Sequence, residues 1–273
     1  MVSAVEERRT TELEEMSTAI RNRVPHIVLL YWVIKIASTT LGETGADMFS
    51  MTFNLGYAET IAIFLALFLV AFAVKLLLRG YHPVAYWLTF TATAIVGTAI
   101  SDFIDRTLHL GYAWGSLVLV CSLVVVLLAW WRREGTVQVE TITTPGAEIF
   151  YWVAFLIANT LGTAAGDFLS DDLELGFLMS AGVIAGVLLL VVSLHYFTKA
   201  PKMLLFWIAF VLTRPFGATF GDFLTKTRDK GGIGFGTIGS SAIFGAILII
   251  AIARETQLER RRATALPAAA GSA

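Results

Sequence analysis

The chain has 273 residues, of which 56% are hydrophobic and 15% are charged, and its formal net charge is −1. A soluble domain of this length could not cover so much apolar surface, so the composition favours a membrane protein. Because Cys121 is the single cysteine, the sequence excludes a disulfide framework and a thiolate metal site. A nucleic-acid partner is not predicted.

The first 25 residues are charged and lack the apolar core of a signal peptide, so residues 1–25 are predicted to be a cytoplasmic segment. Apolar stretches of about 20 residues, the length of a membrane-spanning helix, then occur eight times. They lie near 27–49, 58–78, 84–104, 112–131, 148–169, 176–197, 203–224 and 236–253. The last part of the chain is basic and then rich in Ala, Pro, Gly and Ser, so 255–273 is predicted to be a disordered cytoplasmic tail.

Lysine and arginine residues, which accumulate on the cytoplasmic side of membrane proteins, orient these segments. With eight spans, the termini and the connections near 79–83, 132–147 and 198–202 share one side, which carries 14 Lys and Arg residues against 4 on the other. Both termini are therefore predicted to be cytoplasmic, in the inner membrane of a bacterium, with the lipid bilayer as the main partner.

The membrane domain, 26–254, is predicted to consist of four copies of a two-helix unit, at about 26–80, 81–132, 147–199 and 200–254. Each copy has a tryptophan, an aspartate fifteen residues later and a glycine five residues before that aspartate. The tryptophans are Trp32, Trp87, Trp152 and Trp207, the glycines Gly42, Gly97, Gly162 and Gly217, and the aspartates Asp47, Asp102, Asp167 and Asp222.

A two-helix unit places the start of every copy on the same side, so the four aspartate-bearing helices are predicted to run parallel. The fold class is therefore an all-α polytopic membrane protein of eight transmembrane helices, with the odd helices inside and the nearly nonpolar even helices against lipid. The tryptophans are predicted to anchor the helices at the cytoplasmic headgroups. Each glycine, together with the small residue just before the aspartate, is predicted to allow close helix packing.

The repeated aspartates are the candidate site, because charge is costly in hydrocarbon and is retained there mainly for function. Side chains on the same helix face add polar groups. The predicted ion- or proton-binding set is Asp47, Asp102, Asp167, Asp222, Glu43, Thr40, Thr160 and Asn159, with Arg214 and Lys35 as compensating charges.

Five acids against these two bases leave about three negative charges uncompensated, and carboxylates so close together cannot all stay ionised without a cation or proton. Oxygen ligands without Cys or His suit Mg²⁺, Ca²⁺ or Mn²⁺. The four aspartates are therefore the predicted metal ligands, and no other cofactor is predicted.

The four tandem two-helix repeats, each with a tryptophan and a Gly-x4-Asp phrase, resemble a family of bacterial membrane proteins described as a four-fold repeat of unknown function. The resemblance covers roughly Tyr31 to Ile252. This chain departs from the pattern at Met48, Ile95 and Arg214-Pro215. The resemblance implies the architecture and no activity.

The residues favour a secondary transporter of a cation, chiefly a divalent metal ion exchanged for protons. The alternatives are an intramembrane aspartyl hydrolase and a structural or sensory membrane protein without transport. The hydrolase fits less well because proteases of that type carry glycine one and three residues before the aspartate. Position three here is Thr44, Ala99, Ala164 and Thr219. The prediction is thus of a protein that is not an enzyme, and the number of copies that associate is left open.

Overall fold

The computed structural model describes residues 22–78, 80–137 and 142–270, and in these ranges the chain forms helices and turns without a strand. The eight α-helices are α1 (Leu29–Asp47), α2 (Tyr57–Leu77), α3 (Pro83–Asp102), α4 (Tyr112–Glu134), α5 (Pro145–Asp167), α6 (Gly176–Phe197), α7 (Lys202–Thr225) and α8 (Thr237–Ala270). Seven of these described helices are long and apolar enough to cross a membrane. Helix α1 is the exception, because its 19 residues include Lys35, Glu43 and Asp47.

Three of the odd helices end at their aspartate and continue into a five-residue π-helical turn. These turns are Met48–Thr52, Phe103–Thr107 and Phe168–Asp172. Each is followed by a residue with positive φ (Asn54, His109 or Glu174) and then by a glycine with positive φ, at Gly56, Gly111 or Gly176. Helix α7 differs, since it continues past Asp222 to Thr225 and is followed by an extended Lys226.

Helices α1, α3, α5 and α7 form a closed inner ring, in which α1 and α5 each pack against both α3 and α7. Each even helix lies outside this ring and packs against the odd helix of the next repeat: α2 against α3, α4 against α5, α6 against α7, and α8 against α1. The burial of the helices agrees with the prediction that the odd helices lie inside and the even helices outside. The apolar stretches of α3, α5 and α7 are 50–72% buried, whereas those of the even helices are 11–28% buried.

The repeated glycines lie where neighbouring ring helices touch, which agrees with the prediction of close packing. A Cβ atom at each glycine would overlap a residue of the next ring helix. The pairs are Gly42 with Ala94, Gly97 with Asn159, Gly162 with Arg214, and Gly217 with Thr39. In each pair the second residue lies eight positions before its own aspartate, so the same contact recurs four times around the ring.

The tryptophans at the other end of the ring are part of an aromatic core. Trp87 and Trp152 are 0% and 1% exposed, so they are not the headgroup anchors that the sequence predicts. Side chains of other repeats cover them. Trp152 packs against Phe72 of α2, and Trp87 Nε1 donates a 2.6 Å hydrogen bond to Glu255 of α8.

The predictions for the two ends of the chain have different outcomes. Helix α8 continues to Ala270, through most of the segment 255–273 that is predicted to be disordered. Arg, Glu, Leu and Ala, which are frequent there, are strong helix formers. Of the predicted N-terminal segment, residues 1–21 lie outside the described ranges. Arg23 pairs with the buried Glu148, which also lies 2.8 Å from Lys75 Nζ.

Candidate functional site

The four repeat aspartates lie together at one end of the inner ring, and each is 2% exposed. We call this group the aspartate layer: Asp47, Asp102, Asp167 and Asp222. Lys226 joins two of its members, since its Nζ lies 2.5 Å from Asp47 Oδ2 and 3.0 Å from Asp222 Oδ1. Arg106 Nε lies 3.1 Å from Asp102 Oδ1.

Asp167 is the member of the layer that has no ion pair in the part of the chain that the structure describes. The residue one turn further along is Asp171, an exposed acid at the position where the second and fourth repeats carry Arg106 and Lys226. Asp167 is therefore a buried carboxyl group in a layer of acids, and the bases Arg106 and Lys226 pair with the other three.

Below the aspartate layer, each ring helix contributes one residue to a second polar group; three of the residues lie one turn before their aspartate, and the long side chain of the fourth, Arg214, comes from about two turns before Asp222. This group, the Arg214 network, consists of Glu43, Thr98, Thr163 and Arg214, and all four are buried. Arg214 Nη1 lies 3.4 Å from Glu43 Oε2. Arg214 Nη2 donates to Thr98 Oγ1 and Thr163 Oγ1, each at 2.5 Å.

The two threonines of the network also donate to the acid. Thr98 Oγ1 lies 3.1 Å and Thr163 Oγ1 lies 3.4 Å from Glu43 Oε2. Hydrogen bonds and an ion pair thus hold the Glu43 carboxylate and the Arg214 guanidinium in the interior, where an isolated charge would be costly. The predicted compensating role of Arg214 agrees with this contact to Glu43.

Three predicted auxiliary residues do not contact the aspartates in the described structure. Thr160 Oγ1 donates to Leu156 O of its own helix, and Asn159 Nδ2 donates to Thr93 Oγ1. Thr40 Oγ1 is buried and has no hydrogen-bond partner among the described residues. These side chains lie seven or eight positions before an aspartate, about 10–12 Å along the helix at 1.5 Å per residue, which is too far for a shared ligand.

Lys35 likewise does not compensate an acid. It is 2% exposed, and its Nζ donates to Phe210 O and Thr213 Oγ1, each at 2.5 Å. The same ammonium lies 3.6 Å from the centroid of the Phe210 ring, within cation–π range. Its charge is therefore satisfied on α7, three turns below the aspartate layer.

The sequence argument missed Arg106 and Lys226 as members of the site. Both had been assigned to connections in water, yet each follows an aspartate by four residues, the spacing that brings side chains together on a helix. Burial alone would lower the pKa of Lys226, but Asp222 and Asp47 outweigh it and raise that pKa above its ordinary value. Lys226 therefore carries a positive charge between two carboxylates.

These two bases change the charge balance of the site. The five acids now have three cations in ion-pair contact, namely Arg106, Arg214 and Lys226. Among the described residues, no group of three or more His, Cys, Asp or Glu side chains is arranged to hold a metal ion. The arrangement can hold a proton or a small cation at the surplus carboxylates, chiefly at Asp167.

A family model described as Repeat of Unknown Function (DUF347) matches the chain four times, at residues 30–81, 85–136, 150–200 and 205–261. The four matches cover most of the chain and confirm the four tandem repeats predicted from the sequence. No curated protein and no solved structure matches the chain.

Proposed function

The chain belongs to the DUF347 repeat family, whose description assigns no activity, and we therefore propose its function from the site: secondary transport of a small cation, coupled to protons. The observation that carries this proposal is Asp167, a buried acid without an ion pair among the described residues. Such a carboxyl group must be protonated or must bind a cation, because an isolated negative charge in the interior is costly. A group that alternates between these two states couples the movement of a cation to that of protons.

The proposal includes a membrane setting, parallel aspartate-bearing helices and cytoplasmic termini. Seven helices of suitable length and apolarity support the setting. Contacts at both ends of the ring support the parallel arrangement: Trp32 with Phe206 at one end, and Lys226 with Asp47 and Asp222 at the other. The uneven distribution of Lys and Arg supports cytoplasmic termini.

The described structure suits the closed state of such a transporter. At the tryptophan end of the ring, a cavity of about 10 Å³ is lined mainly by aromatic side chains; the lining residues are Val24, Pro25, Ile27, Tyr31, Tyr86, Tyr151, Phe206 and Phe210. This volume holds about one water molecule. The aspartate layer lies at the opposite end of the ring, so an ion bound there has no open route past the aromatic side chains. Transport would require the aromatic end to open.

The geometry of the site narrows the range of ions that it could bind. A divalent ion needs several oxygen ligands, six to eight for Ca²⁺, and Lys226 already lies between Asp47 and Asp222. A divalent ion could bind there only after this ammonium had left. Monovalent cations and protons therefore suit the site better than the divalent metal that the sequence argument favours.

Flux measurements on purified protein in liposomes test the function. We expect the unaltered chain to transport Na⁺, K⁺, NH₄⁺ or a divalent cation, while a pH-sensitive dye reports the accompanying movement of protons. Asp167→Asn should abolish the proton-coupled component. Asp172→Asn is the matched control, because Asp172 is an exposed acid five residues away. Its flux should equal that of the unaltered chain.

Unchanged flux and proton coupling in both Asp167→Asn and Asp102→Asn would refute the proposal. The absence of flux for every ion, in protein that remains folded, would favour the structural or sensory alternative. That alternative rests on the four ion pairs that three cations, Arg106, Arg214 and Lys226, make within the cluster.

A further inference from the structure

Lys226 occupies a position suited to a free cation. Its ammonium group contacts one carboxylate of α1 and one of α7, at 2.5 Å and 3.0 Å, and both acids are 2% exposed. The lysine side chain itself is 15% exposed. The cradle is thus buried, whereas the group that fills it retains a path to the outside.

The backbone of Lys226 is held in place by the glycine-rich segment that follows α7. Ile233 N donates to Phe223 O, Phe235 N to Leu224 O and Gly234 N to Lys226 O, at 2.8–2.9 Å. Gly232 packs so closely against the Lys226 carbonyl that a Cβ atom there would overlap it. Movement of the charge therefore requires rotation of the side chain only, while the end of α7 stays fixed.

We propose that Asp47 and Asp222 form a binding site for a monovalent cation of ammonium size, and that the Lys226 ammonium is a tethered competitor for this site. The inference rests on the proposed cation transport and names the class of ion. When the ion enters, Lys226 turns outward, and when the ion leaves, Lys226 returns. One positive charge replaces another, so the charge of the buried cluster stays constant.

Distance and ligand number favour a monovalent ion. Mg²⁺ requires near-octahedral oxygen ligands at about 2.0–2.1 Å, and Ca²⁺ requires six to eight at about 2.3–2.6 Å. The cradle offers two carboxylates at 2.5 Å and 3.0 Å from the bound nitrogen.

Binding of K⁺ and NH₄⁺ to the full chain in detergent micelles tests the inference. Ionic strength is held constant with choline chloride, Mg²⁺ serves as the divalent probe, and calorimetry gives the dissociation constants. Lys226→Met should bind K⁺ or NH₄⁺ about tenfold or more tightly than the unaltered chain, because a group on a short tether competes at millimolar effective concentration or above. The control Lys230→Met removes an exposed lysine of the same segment and should bind as the unaltered chain does.

A second measurement uses the unaltered chain and so does not depend on the folding of a variant. Amine acetylation, read by mass spectrometry, should be faster at Lys226 in KCl than in choline chloride and should be unchanged at Lys230. The double variant Lys226→Met/Asp47→Asn should lose the gain in affinity.

The inference is wrong if folded Lys226→Met binds K⁺ and NH₄⁺ no more tightly than the unaltered chain, if Mg²⁺ alone gains affinity, or if Lys226 acetylation ignores K⁺. These readouts do not require flux. If flux depends on Asp167 but Lys226→Met gains no affinity for K⁺ or NH₄⁺, this inference alone is wrong. If Lys226→Met binds these ions more tightly but no ion is transported, the proposed transport is wrong.

Discussion

Replacement of Gly97 by alanine tests the closed ring of helices, because Gly97 lies at the contact of α3 with α5. The added Cβ would lie 2.9 Å from Asn159 Cβ, 2.9 Å from Thr160 N and 3.0 Å from Asn159 C. Carbon atoms pack best at about 3.5–4.0 Å. The atoms in the way belong to the backbone and Cβ of α5, so the two helices must separate rather than let a flexible side chain turn aside.

The expected cost follows from two opposing effects. Overpacking of a well-packed core costs about 1–3 kcal/mol, whereas alanine in place of glycine stabilises a helix by about 0.8–1.0 kcal/mol. A net loss of up to roughly 2 kcal/mol is therefore expected for Gly97→Ala. Gly182→Ala in α6 is the matched control, because no heavy atom lies within 4 Å of its added Cβ. That variant should be neutral or more stable.

Reversible unfolding by SDS in mixed micelles, followed by tryptophan fluorescence, measures both free energies of unfolding. The chain has seven tryptophans, three of which, Trp87, Trp130 and Trp152, lie in the buried core. Equal free energies for Gly97→Ala and Gly182→Ala would show that α3 and α5 do not pack at the described distance. The closed ring would then have to be abandoned.

Two further predictions concern buried ion pairs and use the same unfolding assay. Arg214→Met should cost about 3–5 kcal/mol, because it leaves Glu43 charged and unpaired in the interior. Adding Glu43→Gln should recover part of that loss, and an unchanged loss would mean that the pair is not the cause. Glu148→Gln should cost a similar amount, about 3–5 kcal/mol, because Arg23 and Lys75 lose the acid they share. Residues 22–28 should also exchange amide hydrogen faster, and unchanged exchange would contradict a role of this ion pair in fixing that segment.

Features that recur in every repeat were predictable from the sequence, since the same environment appears four times along the chain. The aspartates, the glycine contacts and the order of inner and outer helices belong to this class. The tryptophans recur as well, yet the headgroup role predicted for them was wrong for the buried Trp87 and Trp152. An aromatic residue near the end of an apolar helix is equally compatible with a headgroup contact and with cover from a neighbouring repeat, and the interval does not distinguish the two.

Arg106 and Lys226, two residues that break the repeat, were placed wrongly from the sequence. Met51, Arg106, Asp171 and Lys226 occupy equivalent positions, four residues after the aspartates, and comprise one neutral, one acidic and two basic residues. Hydropathy assigns all four to connections in water. The structure brings two of them back onto the buried acids, since α7 ends at Thr225 and leaves Lys226 in reach of α1.

The unequal residues four positions after the aspartates affect which ions a ring of four repeats can bind. If all four positions carried a base, every aspartate would have its own partner, and the cluster would gain no free energy from an added cation. If none did, four adjacent carboxylates would require a polyvalent ion or several protons. With Arg106 and Lys226 in two repeats and an acid in a third, the four aspartates keep a surplus of about two negative charges, because Lys226 is shared by Asp47 and Asp222 and Asp167 has no base among the described residues. A single proton or monovalent cation balances the charge of Asp167, and for this reason the unequal residues of the ring, more than its equal ones, indicate the ion.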